Sequence, residues 1–312
     1  MKKFGKSLAK IFLPIIFRIF STFKINRRAI NYLSDKSYFS NDNHNFTNFI
    51  KSMLDEKKII SLDVGAQGGF NSDNFFPNRY NQFFKAILVE PIKEEAKKLK
   101  TSDNFVIQNA LWSSNKIKKV NILGNRLGSS SMYEPDPSLF DLHSIKKKDF
   151  ENYEVTNQIE VQCETIENSL KNLNIQNLDY LKVDTQGAEL EIIKGIGSYR
   201  PLLIKIESHI HSMYKNVPSW NELLDLLYKL NYLIIDWKGI GSHSTRVPAE
   251  IDLILIPNFN NESGKKLLKL NEAKFTSLML IFRQIQLLKI ISEKNDFKFS
   301  NKIKNLEDFF FN

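Results

Sequence analysis

The chain has 312 residues, 42% of them hydrophobic and 25% charged, with a formal net charge of +9 and a single cysteine. Such a composition is globular rather than disordered or fibrous, and the lone Cys163 excludes an internal disulfide and a thiolate metal cluster. The positive charge sits at the ends, with eight basic residues and no acid in 1–28 and ten basic against five acidic residues in 265–312, so the net-acidic middle lacks the basic footprint of a nucleic-acid enzyme.

Residues 1–43 read as a basic amphipathic N-terminal extension. Leu8, Ile11, Phe12, Ile15, Ile16, Ile19, Phe20 and Phe23 fall at helical spacing on one face of 4–23. The apolar run Ile11 to Phe17 is too short to span a bilayer, which needs about 20 residues. Two readings stay open: a helix lying on an anionic membrane surface, or one packed on the domain and bent at Pro14.

From residue 44 to 260 strands and helices alternate. Helices are predicted over 44–57, 70–80, 92–100, 165–173, 188–196 and 220–230. Strands are predicted over 59–63, 85–90, 104–109, 117–123, 155–163, 178–184, 202–207, 232–237 and 251–256. Ser219 and Glu222 after Pro218 form a capping box for the last of these helices. The alternation predicts an α/β domain, a mainly parallel seven-stranded sheet with helices on both faces. The stretch 111–163 breaks the pattern, and an antiparallel excursion or flap is expected there. Cys163 reads as a small apolar side chain in a strand, and a reducing, cytoplasmic compartment fits it. Residues 261–312 form a helical C-terminal extension, with one long helix over 265–292. Its apolar face (Leu278, Ile281, Phe282, Ile285, Leu288) suits packing on the domain, with a homodimer contact or membrane dock as the alternative.

Three apolar runs end in carboxylates: SLDVGAQGGF at 61–70, ILVEP at 87–91 and LKVDTQGAELEIIKG at 181–195. Buried parallel strands read as apolar runs, and open α/β sheets bind ligands at the carboxyl ends of their strands. Asp63, Glu90 and Asp184 are thereby expected to line one crevice. The glycine loop after Asp63 lacks the Lys-Ser/Thr pair of a phosphate loop and is not a dinucleotide fingerprint. An acid at a strand end suits a cationic ligand such as S-adenosylmethionine and disfavours pyrophosphate. Glu90 suits a ribose diol, or else a helix N-terminal acid. Asp184 suits a general base or a helix cap. Glu189 is a second site residue or a first-turn helix acid. Glu207 ends another strand and is followed by His209 and His211. One of these histidines could act as a base; with Glu207 they could also mimic a metal triad, but no further ligand cluster accompanies them and spacing alone is a weak signal, so no metal is expected. The loop 126–133, with Ser130 at its centre, could cover an acceptor pocket.

LDVGAQGG, ILVEP, VIQNALWSS, LGSSS, LKVDTQGAELEIIKG and EIDLILI together resemble the FkbM family of S-adenosylmethionine-dependent methyltransferases, over roughly 58–257. The resemblance implies a Rossmann-like methyltransferase fold and O-methylation of a sugar, glycan or lipid-linked saccharide. It implies that Asp63, Gly65, Ala66 and Gly69 line the amino-acid end of the cofactor. It further implies that Glu90 holds the ribose, and that Asn109 and Ala110 flank the adenine. Asp184, Gln186 and Glu189 are implied where the methyl meets the acceptor. The family's usual loop Asn is Gln67 here. Asp184, Glu207 and His209 are then the catalytic candidates, and Gln186, Glu189 and Ser130 the acceptor-binding ones. The runners-up are a nicotinamide oxidoreductase and a non-catalytic, membrane-associated partner in glycan synthesis. The basic termini are compatible with peripheral contact on the inner membrane face.

Overall fold

The computed structural model describes residues 44–101, 104–143, 145–241 and 248–304. The predicted helix over 4–23 and the end of the C-terminal extension lie outside these residues. In chain order the elements are α1 (His44–Leu54), β1 (Ile59–Val64), β2 (Phe84–Val89), α2 (Lys93–Leu99), β3 (Phe105–Ile107), β4 (Ala110–Leu111), β5 (Lys116–Leu123), β6 (Val155–Glu164), α3 (Ile166–Asn172), β7 (Tyr180–Val183), α4 (Glu189–Lys194), β8 (Leu203–His209), α5 (Trp220–Lys229), β9 (Tyr232–Gly241), β10 (Pro248–Pro257), α6 (Glu262–Leu270), α7 (Glu272–Ile281), α8 (Ile285–Lys294) and α9 (Ser300–Lys304). Among the described residues no helix is long and apolar enough to cross a membrane.

These residues fall into two compact units: 44–57 with 74–83 and 272–304, and 58–73 with 84–271. In the first, α1 packs against α7. Phe75 and Phe76 both stack on Phe282 at 5.5 Å. Phe275 to Ile281 are all buried, as befits a helix that is apolar all round. The single helix predicted over 265–292 is instead three, α6 to α8. Asn271 caps the first, and Arg283, with φ +62°, turns the chain after the second. The helix predicted over 70–80 does not form. Asn71 and Asn74 adopt left-handed backbone (φ 56° and 51°), which asparagine tolerates in turns, and only a 3-10 segment follows at Asn78–Phe83.

The second unit is built on a seven-stranded sheet in the order β3-β2-β1-β7-β8-β10-β9. Its first five strands run parallel; β10 is antiparallel to both β8 and β9. The predicted excursion is a separate three-stranded sheet, β4-β6-β5, in which β5 and β6 are antiparallel. The capping box at Ser219 and Glu222 is present. Helices cover both faces: α3, α4 and α5 share one core with Leu62, Val64, Leu181 and Val183, and Leu99 of α2 packs on Ala86 and Leu88 of the other face.

Alternation along the strands makes those two faces unlike. Asp63 pairs in register with Lys182, and Lys182 with Lys205, so three charged side chains form a row across β1, β7 and β8. The strand order turns at β1: β2 and β3 lie to one side, β7 and β8 to the other. A crevice outside the carboxyl ends is expected at that reversal.

Candidate active site

Val64 and Val183 end at the reversal, and the loops that follow touch. Gly65 has φ +80°, and a Cβ on it would lie 1.9 Å from the Asp184 carbonyl oxygen. Only glycine allows that approach. The Gly65 amide donates to Val89 O at 3.2 Å and the Asp184 amide to Val64 O at 3.1 Å, which stitches three strand ends together.

Two clefts open above them. The first has a volume of about 240 Å³, and its walls include Gly65, Gln67, Glu90, Ala110, Leu111 and Lys182. The second is about 580 Å³ and is faced by Arg126, His143, Tyr153, Glu207 and Glu250. Gly128, Asp184 and Gln186 belong to both walls. The partition between the clefts is therefore the loop after β7 together with the serine-rich loop.

That partition is tied down. Glu189 Oε1 accepts from the Thr185 amide and hydroxyl and from the Gly187 amide, at 3.1, 3.0 and 3.1 Å. Gln186 holds left-handed backbone at φ +58°. Ser131 donates its hydroxyl to Gln186 O at 2.6 Å. The Tyr214 hydroxyl lies 2.6 Å from Ser129 O and 3.0 Å from Gln186 Oε1. Gln186 Nε2 donates to Glu207 Oε1 at 3.0 Å.

Several of the expected residues line the clefts. Gly65, Glu90 and Ala110 line the first cleft, and so does Ser130. Asp184 and Gln186 line both clefts, and Glu207 the second. Glu90 is 4% exposed, and its Oε1 accepts the Ile92 amide at 2.8 Å. Desolvation pushes its carboxyl up to about 7, against the opposing Ile92 hydrogen bond.

Five others lie on neither cleft wall. Asp63 does not reach the cleft: it is 1% exposed, and its Oδ1 takes Lys182 Nζ at 3.1 Å. Burial raises the Asp63 carboxyl, and the Lys182 ammonium opposes the rise. Desolvation works against charge on Lys182, but Asp63, Asp184 and Asp73 outweigh it and hold the ammonium charged. Lys182, also 3.7 Å from Asp184 Oδ2, is the residue that faces the ligand space. Ala66 is buried beneath with Ala86, Leu88 and Leu99. Gly69, at φ +100°, serves the turn, its amide donating to Ala66 O at 2.9 Å. Asn109 donates its amide to Glu164 and so ties the end of β3 to β6. Glu189 is the cap of its loop, a role the sequence had left open for Asp184, and lies on neither wall.

His209 sits behind the second cleft, 5% exposed. Burial first, then Asp184 and Glu250, raise the Glu207 carboxyl well above the usual range. Lys182, Lys205 and Glu250 escaped the sequence reading. The available signal was polar residues at a period of two inside apolar runs: LKVD, LIKIE and AEIDL.

The donor set suits S-adenosylmethionine. The Glu90 carboxylate can accept ribose hydroxyls, Val89, Pro91, Ala110 and Leu111 offer apolar contact for a purine, and Asp73 and Asp184 offer negative charge toward a cationic end.

The family described as Methyltransferase FkbM domain matches residues 63–234. No curated protein matches. Among the 31 chains of solved structures that are similar are the following three. One, assigned as a DNA modification methyltransferase encoded within a prophage (E. coli), is 9% identical with TM-score 0.35; the match covers 64% of this chain and 47% of that one, so this chain spans about half its length. The 16S rRNA methylase ArmA is 11% identical with TM-score 0.27, covering 78% and 96%. The Burkholderia thailandensis 1,6-didemethyltoxoflavin-N1-methyltransferase is 9% identical with TM-score 0.26, covering 69% and 79%.

Proposed function

Because the chain belongs to the FkbM family of methyltransferases, we propose that it is an S-adenosylmethionine-dependent O-methyltransferase acting on a hydroxyl of a sugar or glycan. The observation that carries this reading is the shared partition: one loop, Asp184 to Gln186, faces the cleft that holds Glu90 on one side and a polar cleft on the other. The strand order, reversing at β1, supports a Rossmann-like methyltransferase core.

S-adenosylmethionine, when bound, supplies an electrophilic methyl group. In this reading Glu90 binds the ribose, and Lys182, neutralised from below by Asp63, orders the neighbouring Asp184. Asp184 takes the proton that the acceptor hydroxyl gives up as its oxygen receives the methyl. Alignment across the partition can supply about 7–11 kcal/mol of barrier reduction, and the base about 10²–10⁴-fold in rate. The polar lining of the second cleft, with Arg126, Tyr153, His143 and Asn125, supports a hydroxyl-rich acceptor.

Calorimetric titration with S-adenosylmethionine tests the first half: binding is expected, whereas binding of NAD in its place would favour the oxidoreductase. Labelled S-adenosylmethionine against a glycan panel tests the second. Asp184→Asn is expected to bind cofactor and lose about 10²–10⁴-fold in turnover; undiminished turnover would remove Asp184 from the reaction. The basic segment 1–28 supports peripheral contact with an anionic membrane, and deleting it should abolish flotation with anionic liposomes.

A further inference from the structure

We infer that Glu207, His209 and Glu250 form a binding site for one divalent cation at the back of the second cleft. The use of that ion on an acceptor hydroxyl rests on the function proposed above; its binding does not.

The three side chains come from two adjacent strands. Glu207 and His209 are two apart on β8 and share a face. Glu250 on β10 is the antiparallel register partner of His209. One ligand atom from each lies within 4.8 Å of the others. His209 Nε2 is 3.9 Å from Glu207 Oε1 and 3.8 Å from Glu250 Oε1. Those separations are too long for hydrogen bonds. Bonds of about 2.0–2.2 Å at ordinary coordination angles set neighbouring ligand atoms about 2.8–3.8 Å apart, so the three side chains stand slightly splayed and would draw together around one ion.

A second observation is independent of the acids. His209 is 5% exposed, yet neither ring nitrogen has a hydrogen-bond partner among the described residues. Buried polar groups are nearly always satisfied, and Nε2 points at the two carboxylates. Two carboxylates held together in a poorly solvated place also repel unless a proton or a cation lies between them.

One outer-shell contact is in place: Gln186 Nε2 donates to Glu207 Oε1 at 3.0 Å. The Tyr214 ring meets the His209 ring edge-on at 6.0 Å. Positions on paired strands hold such a geometry better than loops do. Glu207 and Glu250 face the cleft, which leaves coordination positions open on that side for water or an acceptor oxygen. One imidazole and two carboxylates suit ions of the Mn²⁺ or Zn²⁺ class. An ion there would bind the acceptor hydroxyl as a Lewis acid and ease loss of its proton, one loop away from the methyl donor.

The test uses the full chain, stripped with EDTA and titrated calorimetrically with Mn²⁺ and, separately, Zn²⁺. One ion per chain is expected for at least one of them, weakened about tenfold or more in both His209→Ala and Glu250→Gln. Glu250→Gln, at the cleft rim, keeps the test valid if the buried His209 variant fails to fold. Absence of binding of either ion, or binding unchanged in both variants, overturns the proposal. S-adenosylmethionine is titrated on the same stripped protein. Retained cofactor binding without metal binding sinks the ion site alone, and metal binding without cofactor binding upholds it while sinking the methyltransferase reading.

Discussion

The two faces of the seven-stranded sheet do different work. One face carries Leu62, Val64, Leu181, Val183, Ile204, Ile206, Leu253 and Leu255, all buried in one apolar cluster. The other carries Asp63, Lys182, Lys205 and Asp252, equally buried and joined by ion pairs: Lys205 Nζ lies 2.7 Å from Asp73 Oδ2 and 3.1 Å from Asp252 Oδ1. Apolar burial contributes about 25 cal/mol per Å², and the first face supplies it across β1, β7, β8 and β10. Buried ion pairs add little over apolar residues of the same shape. The second face is thus better explained by where its charges end, at Asp184, Glu207 and Glu250, than by what they add to stability.

The contrast can be broken most directly at Lys182. Lys182→Met leaves Asp63 buried without a counter-charge and should cost about 3–5 kcal/mol in denaturant unfolding. The double variant Asp63→Leu/Lys182→Met should recover most of that loss and still bind cofactor poorly. If the double variant binds cofactor normally, the charged row serves stability after all.

Gly65→Ala forces a Cβ into the Asp184 carbonyl and a non-glycine residue into a left-handed conformation. A loss of about 1–3 kcal/mol in folding stability is expected, read as a lower unfolding midpoint, together with weaker cofactor binding as the two loops are pushed apart. A smaller effect should appear at Glu90. Its folded carboxyl titrates at about 7 against 4.5, so the unliganded fold holds this proton and loses stability as pH rises from 4.5 to 7. Cofactor affinity moves the other way, because the ionised group can accept both ribose hydroxyls. It should tighten about tenfold between pH 6 and pH 8, and Glu90→Gln should flatten the profile. The smallest change belongs to the apolar face: Ile204→Val should cost about 0.5–1.5 kcal/mol and leave the cofactor dissociation constant unaltered.

Much of the sheet was legible because buried parallel strands are unbroken apolar runs ending at glycine or acid, as at 59–65 and 180–187. Glu90 and Asp184 were legible for the same reason: they stand where the run stops. The partnerships were not. That Asp63 turns to Lys182, and not to the ligand space, depends on register between strands 119 residues apart. Glu250 completes the group around His209 only because β10 runs antiparallel. Glu189 captures the loop amides through a backbone bend at Gln186 that no periodicity encodes. Residues 70–80 look amphipathic, but the local preferences of Asn71 and Asn74 prevail there.

The partition between the clefts is one loop thick, and Gly65 abuts it from behind. In the function proposed above, a substitution at Gln186 or Asp184 aimed at a new acceptor would therefore disturb the donor's seat as well. Acceptor preference can be diversified more safely on the opposite wall, at Arg126, His143 and Tyr153. Libraries built to retarget the enzyme should begin there, leaving the dividing loop untouched.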